Sequence, residues 1–198
     1  MMPTADDGQT GAFPLVSTPK GRRALFADRD GTLIHDAHYL HDAAQVQLLP
    51  GAVELLRAFA EAGWALVVVT NQSGIAQGIV TQANYDAVKA RMDELLAAEG
   101  VRLDLVKHCP HHPDVSGPCR CRKPGTLMYE EARDTLKLDL AASVFVGDRW
   151  RDVAPALAMR GRGFLIRSQD TPAADWERAT REAETIGSLD ELVTRVLR

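Results

Sequence analysis

The sequence has little cysteine: three residues in 198, all confined to positions 109–121. An odd number held in one loop excludes a disulfide-stapled scaffold and points to reduced thiols or to a metal site. Also missing is any run of 18 apolar residues, so no membrane-spanning helix is expected. Residues 1–21 contain Gly, Pro, Thr and Asp but no apolar core of a secretory signal. They read as a flexible leader, with Phe13 to Val16 resting on the domain that follows. Basic excess is absent as well. With 23 Lys and Arg against 27 Asp and Glu the formal charge is −4. No basic, aromatic-rich stripe is present, which argues against nucleic acid and anionic membrane as partners. A site for an anionic substrate must therefore be locally basic. Repeats and low-complexity tracts are lacking too. A cytoplasmic monomer is expected, with residues 22–198 as its single domain.

What is present is 45% hydrophobic residues, arranged so that apolar runs alternate with amphipathic stretches. That alternation predicts a Rossmann-like, doubly wound α/β fold: a mainly parallel sheet with helices on both faces. The expected strands are Ala24–Ala27, Ala65–Val69, Leu103–His108, Ser143–Val146 and Gly163–Ile166. The expected helices are Gly51–Ala62, Gln82–Glu99, Leu127–Leu136, Arg151–Arg160 and Leu189–Leu197. Two connections are long, residues 32–50 and 108–126. Neither is long enough for a cap domain of ordinary size, so the fold is expected to be capless, with specificity coming from these loops.

Four polar motifs stand out, three of them at the ends of apolar runs and one just before a predicted helix. Asp28 and Asp30 end the first run at i, i+2, and strand alternation projects both to one side at its carboxyl end, where ligands bind in open α/β sheets. Two carboxylates so close repel unless a cation or shared proton relieves them, and a hard dication such as Mg²⁺ is the natural partner. The pair points to phosphoryl chemistry, one carboxylate as nucleophile and the other as acid/base. Thr70-Asn71-Gln72-Ser73-Gly74 ends the second strand with a hydroxyl and turn amides that suit phosphate oxygens. Arg122-Lys123-Pro124 brings cations that can neutralise an anion. Gly147-Asp148 closes a third strand; Asp148 is expected to cap the next helix while facing the Asp28 metal. Asp152, one turn on, is expected to support the site or cap the helix.

The cysteine loop, Cys109-Pro110-His111-His112 through Cys119-Arg120-Cys121, supplies Cys-x-His and Cys-x-Cys within 13 residues. Cys109, His111, Cys119 and Cys121 form the donor set of a closed tetrahedral Zn²⁺ site, although spacing alone leaves His108 and His112 open. A structural zinc there would fix where Arg122 and Lys123 point. His35, His38 and His41 recur at i, i+3, i+6; a second metal is conceivable, with substrate contact or plain exposure the commoner outcome.

Asp28-Arg29-Asp30-Gly31-Thr32, Thr70-Asn71-Gln72-Ser73-Gly74-Ile75-Ala76, Cys121-Arg122-Lys123-Pro124 and Gly147-Asp148 occur in that order. Together, over residues 22–168, they resemble the haloacid dehalogenase superfamily, in particular its small capless phosphatases of subfamily IIIA. The resemblance implies Asp28 as nucleophile and Asp30 as acid/base. It implies Mg²⁺ on the Asp28 carboxylate, the Asp30 carbonyl and Asp148. Thr70 and Lys123 would hold the phosphoryl group. Asp36, His38, Tyr39, Asn71, Gln72, Ser73, Arg122 and Arg149 would contact the substrate, and His111 matches the zinc-ligand position. The implied substrate is a small phosphate ester. A sugar bisphosphate is favoured, with a heptose 1,7-bisphosphate first and histidinol phosphate as the alternative. A nucleic-acid 3′-phosphatase or a non-catalytic zinc scaffold stands further off.

Overall fold

β1 (Ala24–Ala27) is the strand on which the molecule is assembled, and all four of its residues are buried. In the computed structural model, which describes residues 21–198, six parallel strands form one sheet in the order β3-β2-β1-β4-β5-β6. The leader read over residues 1–21 lies, apart from Gly21, outside the described residues. The chain runs outward from β1 through α1 (Ala52–Glu61), β2 (Ala65–Asn71) and α2 (Gln82–Ala98) to β3 (Leu105–Cys109). It returns through the short α3 (Pro113–Ser116) and α4 (Leu127–Leu136) to β4 (Val144–Gly147) on the other side of β1. From there α5 (Trp150–Met159), β5 (Arg162–Ile166), α6 (Ala173–Glu182), β6 (Glu184–Ile186) and α7 (Leu189–Leu197) complete it. The strand order therefore reverses between β1 and β4, and the crevice outside their carboxyl ends is the natural ligand site of such a sheet.

Burial on both faces explains why the central strands read as continuous apolar runs. Leu25, Leu66, Val68, Val144 and Val146 pack with α1, α2 and α7 in one core, around Leu55, Phe59, Val88, Met92 and Leu192. Phe26, Val67, Val69 and Phe145 point the other way, against Met128, Tyr129 and Ala132 of α4. There Phe26 stacks on Phe145 at 4.8 Å and meets the Tyr129 ring edge at 5.2 Å. The two long connections carry no helix beyond a 3₁₀ turn at Ala43–Gln45 and the four-residue α3, so among the described residues no cap domain covers the strand ends.

Element positions differ from the expectation in particular places. The third strand starts at Leu105 rather than Leu103, because Asp104 turns back to accept the Leu66 amide through Oδ2 at 2.8 Å. It reaches Cys109, which pairs in register with Asn71. α6 and β6 were not expected. α6 is rich in charge and buries only Ala179 among its residues, so it has little apolar content to announce it, and β6 is a three-residue edge strand.

Candidate active site

Asp28, Lys123, Asp148 and Asp152 meet in the crevice at the β1/β4 switch, and all four are buried. β1 delivers Asp28, whose amide donates to the Val146 carbonyl at 2.9 Å and so ties it to β4. Lys123 Nζ lies 2.7 Å from Asp28 Oδ1 and 2.7 Å from Asp152 Oδ1, and donates to the Val69 carbonyl at 2.6 Å. Burial works against the lysine's charge, but the Asp152 and Asp28 carboxylates outweigh it and hold its pKa above the ordinary value. The backbone of Lys123 is clamped in turn: its amide donates to Asn71 Oδ1 at 3.0 Å, and Asn71 Nδ2 donates to its carbonyl at 3.2 Å.

Asp148 follows β4 and keeps its carboxylate in the crevice by accepting from Ser168 Oγ at 2.9 Å, while Thr171 Oγ1 donates to its carbonyl at 2.9 Å. Burial, then the neighbouring charges of Asp28 and Asp152, push the Asp148 pKa up to about 7. The expectation that Asp148 caps the following helix is corrected. α5 starts at Trp150 with Arg149 as its N-cap residue, and the Arg149 amide donates to Asp152 Oδ2 at 3.0 Å. Asp152 folds back over Gly147, where a Cβ would stand 2.2 Å from its own. It thus serves both roles left open for it, helix start and support of Lys123. Gly31 answers a similar steric demand: its φ is +77°, and a Cβ there would lie 2.6 Å from Asp148 Oδ2.

Three buried carboxylates within 4.8 Å of one another, balanced by one lysine, form a donor set of the kind a hard dication takes. Lys123 and the Arg149 amide occupy Asp152, which leaves Asp28 and Asp148 as the carboxylates available to Mg²⁺.

Asp30 stands beside this group. Gln72 Nε2 donates to its Oδ2 at 2.7 Å and to Thr70 Oγ1 at 2.9 Å, and the threonine hydroxyl donates to the same Asp30 oxygen only at a long 3.5 Å, a weak bond that an incoming oxygen can replace. Burial raises the Asp30 pKa above the usual carboxylate range, the Arg29 charge opposes the rise, and Asp28 adds to it. The mouth is a cleft of about 470 Å³ lined by Asp30, Asp36, His38, Tyr39, Asn71, Gln72, Ser73, Arg122 and Arg149, all of them sequence-predicted. Arg29, His112 and Arg151 also line it and were not expected there. Arg151 was legible only as the fifth residue of Gly147-Asp148-Arg149-Trp150-Arg151. Tyr39 packs closely on the Thr-Asn-Gln-Ser-Gly turn, where a Cβ on Gly74 would meet its ring at 2.7 Å. Thr70 and Lys123 lie deeper, behind the cleft wall.

The cysteine loop gathers Cys109, His111, Cys119 and Cys121 with no disulfide. Sulfur–sulfur separations run from 3.0 to 3.7 Å, and His111 Nδ1 lies 3.2 Å from Cys121 Sγ and 3.7 Å from Cys109 Sγ. Zn–S bonds of about 2.3 Å in a tetrahedron demand sulfur spacings of roughly 3.7 Å, so the set fits Zn²⁺ after small adjustments. His108 and His112 are engaged elsewhere. His108 stacks on Tyr85 at 4.1 Å, and His112 Nδ1 accepts the Asp114 amide at the start of α3. His35, His38 and His41 join no metal-binding group among the described residues. From Cys121 the chain passes directly to Arg122, whose Nη1 donates to the His111 carbonyl at 3.2 Å, and then to Lys123.

A sequence profile described as HAD-hydrolase-like matches residues 120–192. The chain is 42% identical over 165 residues to the D-glycero-beta-D-manno-heptose-1,7-bisphosphate 7-phosphatase of Yersinia pestis, covering 77% of this chain and 88% of that protein. The protein of the same description from Escherichia coli strain K12 matches at 42% identity, over 77% and 86% of the two chains. Among solved structures, D,D-heptose 1,7-bisphosphate phosphatase from B. bronchiseptica, complexed with magnesium and phosphate, superposes with a TM-score of 0.79 at 28% identity. The superposition covers 88% of this chain and 98% of that one.

Proposed function

The chain belongs to the haloacid dehalogenase-like phosphatases, and from that premise we propose that it removes the 7-phosphate of a D-glycero-D-manno-heptose 1,7-bisphosphate. The observation that carries the reading is the convergence of Asp28, Lys123 and Asp148 at the sheet's switch point, beside a cleft rimmed by arginines. Such a rim suits a substrate with two phosphates, one for the crevice and one for the mouth. The charge of −4 makes that rim a local feature and disfavours nucleic acid. The same reading takes residues 22–198 as one catalytic domain working as a cytoplasmic monomer.

In this mechanism one Asp28 oxygen is fixed by Lys123, and the other attacks phosphorus to form an aspartyl-phosphate. As the P–O bond to the sugar breaks, the Asp30 carboxyl gives its proton to the departing oxygen; its raised pKa suits that task. The Asp30 carboxylate then takes a proton from the water that hydrolyses the acyl phosphate, restoring both acids. Thr70 and the turn amides at 71–73 receive phosphoryl oxygens, with Lys123 next to the nucleophile. The Asp28 and Asp148 carboxylates and the Asp30 carbonyl would hold Mg²⁺, which when bound would offset the charge that builds on the transferring group. Arg122, Arg149, Asp36, His38 and Tyr39 orient the rest of the ester. Zn²⁺ on Cys109, His111, Cys119 and Cys121 is structural and serves to aim Arg122 and Lys123.

The test is kcat/KM on heptose 1,7-bisphosphate, fructose 1,6-bisphosphate and histidinol phosphate, with Asp28→Asn alongside. The heptose ester should lead the panel, and Asp28→Asn should lose all turnover while keeping its circular dichroism. Preference for histidinol phosphate would move the substrate to the alternative. Wild-type turnover in Asp28→Asn would refute the mechanism.

A further inference from the structure

Arg29 lies between the two motif acids and is only 2% exposed. Its Nε donates to both Asp30 oxygens at 3.1 Å, and its Nη2 donates to Oδ2 at 3.0 Å. The guanidinium carbon sits 5.6 Å from the centroid of the buried Tyr85 ring, and Tyr85 is backed by His108. The cation is thus boxed between an aromatic face from α2 and one carboxylate. The adjacent-residue pair Arg133–Asp134 has both side chains exposed, the usual case for such neighbours. A buried guanidinium has given up its hydration and cannot leave its partner without stranding charge, so the Asp30 carboxyl is held in one orientation.

That orientation is specific. Arg29 grips both oxygens alike, with Nη2 at 3.0 Å and Nε at 3.1 Å from each. Oδ2 accepts in addition from Gln72 Nε2 at 2.7 Å and, at 3.5 Å, from the Thr70 hydroxyl, while Oδ1 has no partner beyond Arg29. Oδ1 is therefore the oxygen with capacity left to carry a transferable proton towards the cleft. We propose that Arg29 is a positioning residue that locks the Asp30 carboxyl with Oδ1 towards the departing ester oxygen. The inference rests on the reading of Asp30 as the group that protonates that oxygen.

If Arg29 acts through Asp30, its loss should hurt only where the leaving group needs a proton. An alkoxide leaving from a sugar phosphate needs one; p-nitrophenolate does not. With the magnesium-loaded, zinc-containing protein, Arg29→Gln should lower kcat/KM for a sugar phosphate about 100-fold and for p-nitrophenyl phosphate less than about fivefold. Arg29→Lys keeps the charge but not the fork, and should fall between wild type and Arg29→Gln on the sugar phosphate alone. It also serves if Arg29→Gln does not fold. Equal losses on both esters in whichever variant folds would overturn the proposal, since a structural defect spares neither. Asp30→Asn separates the two failures. If it shows the leaving-group dependence and the Arg29 variants do not, the positioning role is wrong. If it does not, the acid/base assignment of Asp30 falls, and this inference with it.

Discussion

Lys123 lies between two buried carboxylates, and its Nζ has a third partner in the Val69 carbonyl. Removing one member of a buried ion group leaves the others uncompensated, which costs about 3–5 kcal/mol. Lys123→Met should therefore lower the unfolding free energy of the metal-free protein by that amount, read as a lower urea midpoint, as well as abolish turnover. An unchanged midpoint would mean that Asp28 and Asp152 do not depend on the lysine. At this scale the sequence was most readable where residue type dictates chemistry. Asp28 and Asp148 were legible because acids at the end of apolar runs point to ligand chemistry, whereas Lys123, which reads by itself as a surface basic turn, was legible only through the ordered motifs around it. Arg29 was missed because an arginine next to an aspartate reads as a solvated turn, and only burial beneath Tyr85 shows otherwise.

The strand-to-loop junctions and the cysteine loop are the elements that place these side chains. β1, α4 and α7 have the expected ends, and the remaining predicted elements are off by one or two residues, because hydrophobic period marks an element more sharply than its ends. Capping at α5 was misread for the same reason: Asp148 and Asp152 are both plausible caps in sequence, and the fold of Asp152 over Gly147 decides between them. α6 and β6 stayed hidden because an edge strand of three residues is too short to show alternation, and a helix dominated by charge, with only Ala179 buried, has too few apolar residues to mark a face. The zinc loop yields an element-scale prediction. With Cys121 followed directly by Arg122 and Lys123, Cys119→Ala or removal of Zn²⁺ by a chelator should loosen residues 109–124 in hydrogen exchange. It should also reduce kcat at least about tenfold in saturating Mg²⁺, the usual cost of disturbing such supports. Full activity in a zinc-free Cys119→Ala protein would remove the loop from the mechanism.

For the molecule as a whole, the acidic crevice links stability to pH. Burial and mutual repulsion raise the Asp148 pKa from the ordinary 3.8 to about 7, and Asp30 and Asp152 shift the same way. A carboxyl whose folded-state pKa is raised stabilises the fold below its unfolded value, and that contribution is lost as pH rises through the folded value. The metal-free protein should thus lose melting temperature between about pH 4 and about pH 7 and level off above. Mg²⁺, binding only the folded charged site, should restore more at about pH 8 than at about pH 5. Asp148→Asn should melt higher than wild type at about pH 8 without metal and gain nothing from Mg²⁺. A metal-free melting temperature that rises across this range would contradict the electrostatics of the crevice.

Thr171 fastens the carbonyl of Asp148, and Asp175 Oδ2 accepts the Trp150 amide at the head of α5. Both anchors come after β5, more than 140 positions downstream of Asp28. The two ends of the crevice are thus contributed by opposite ends of the described chain, and the orientation of Asp148 depends on side chains that belong to neither of the strands it lies between.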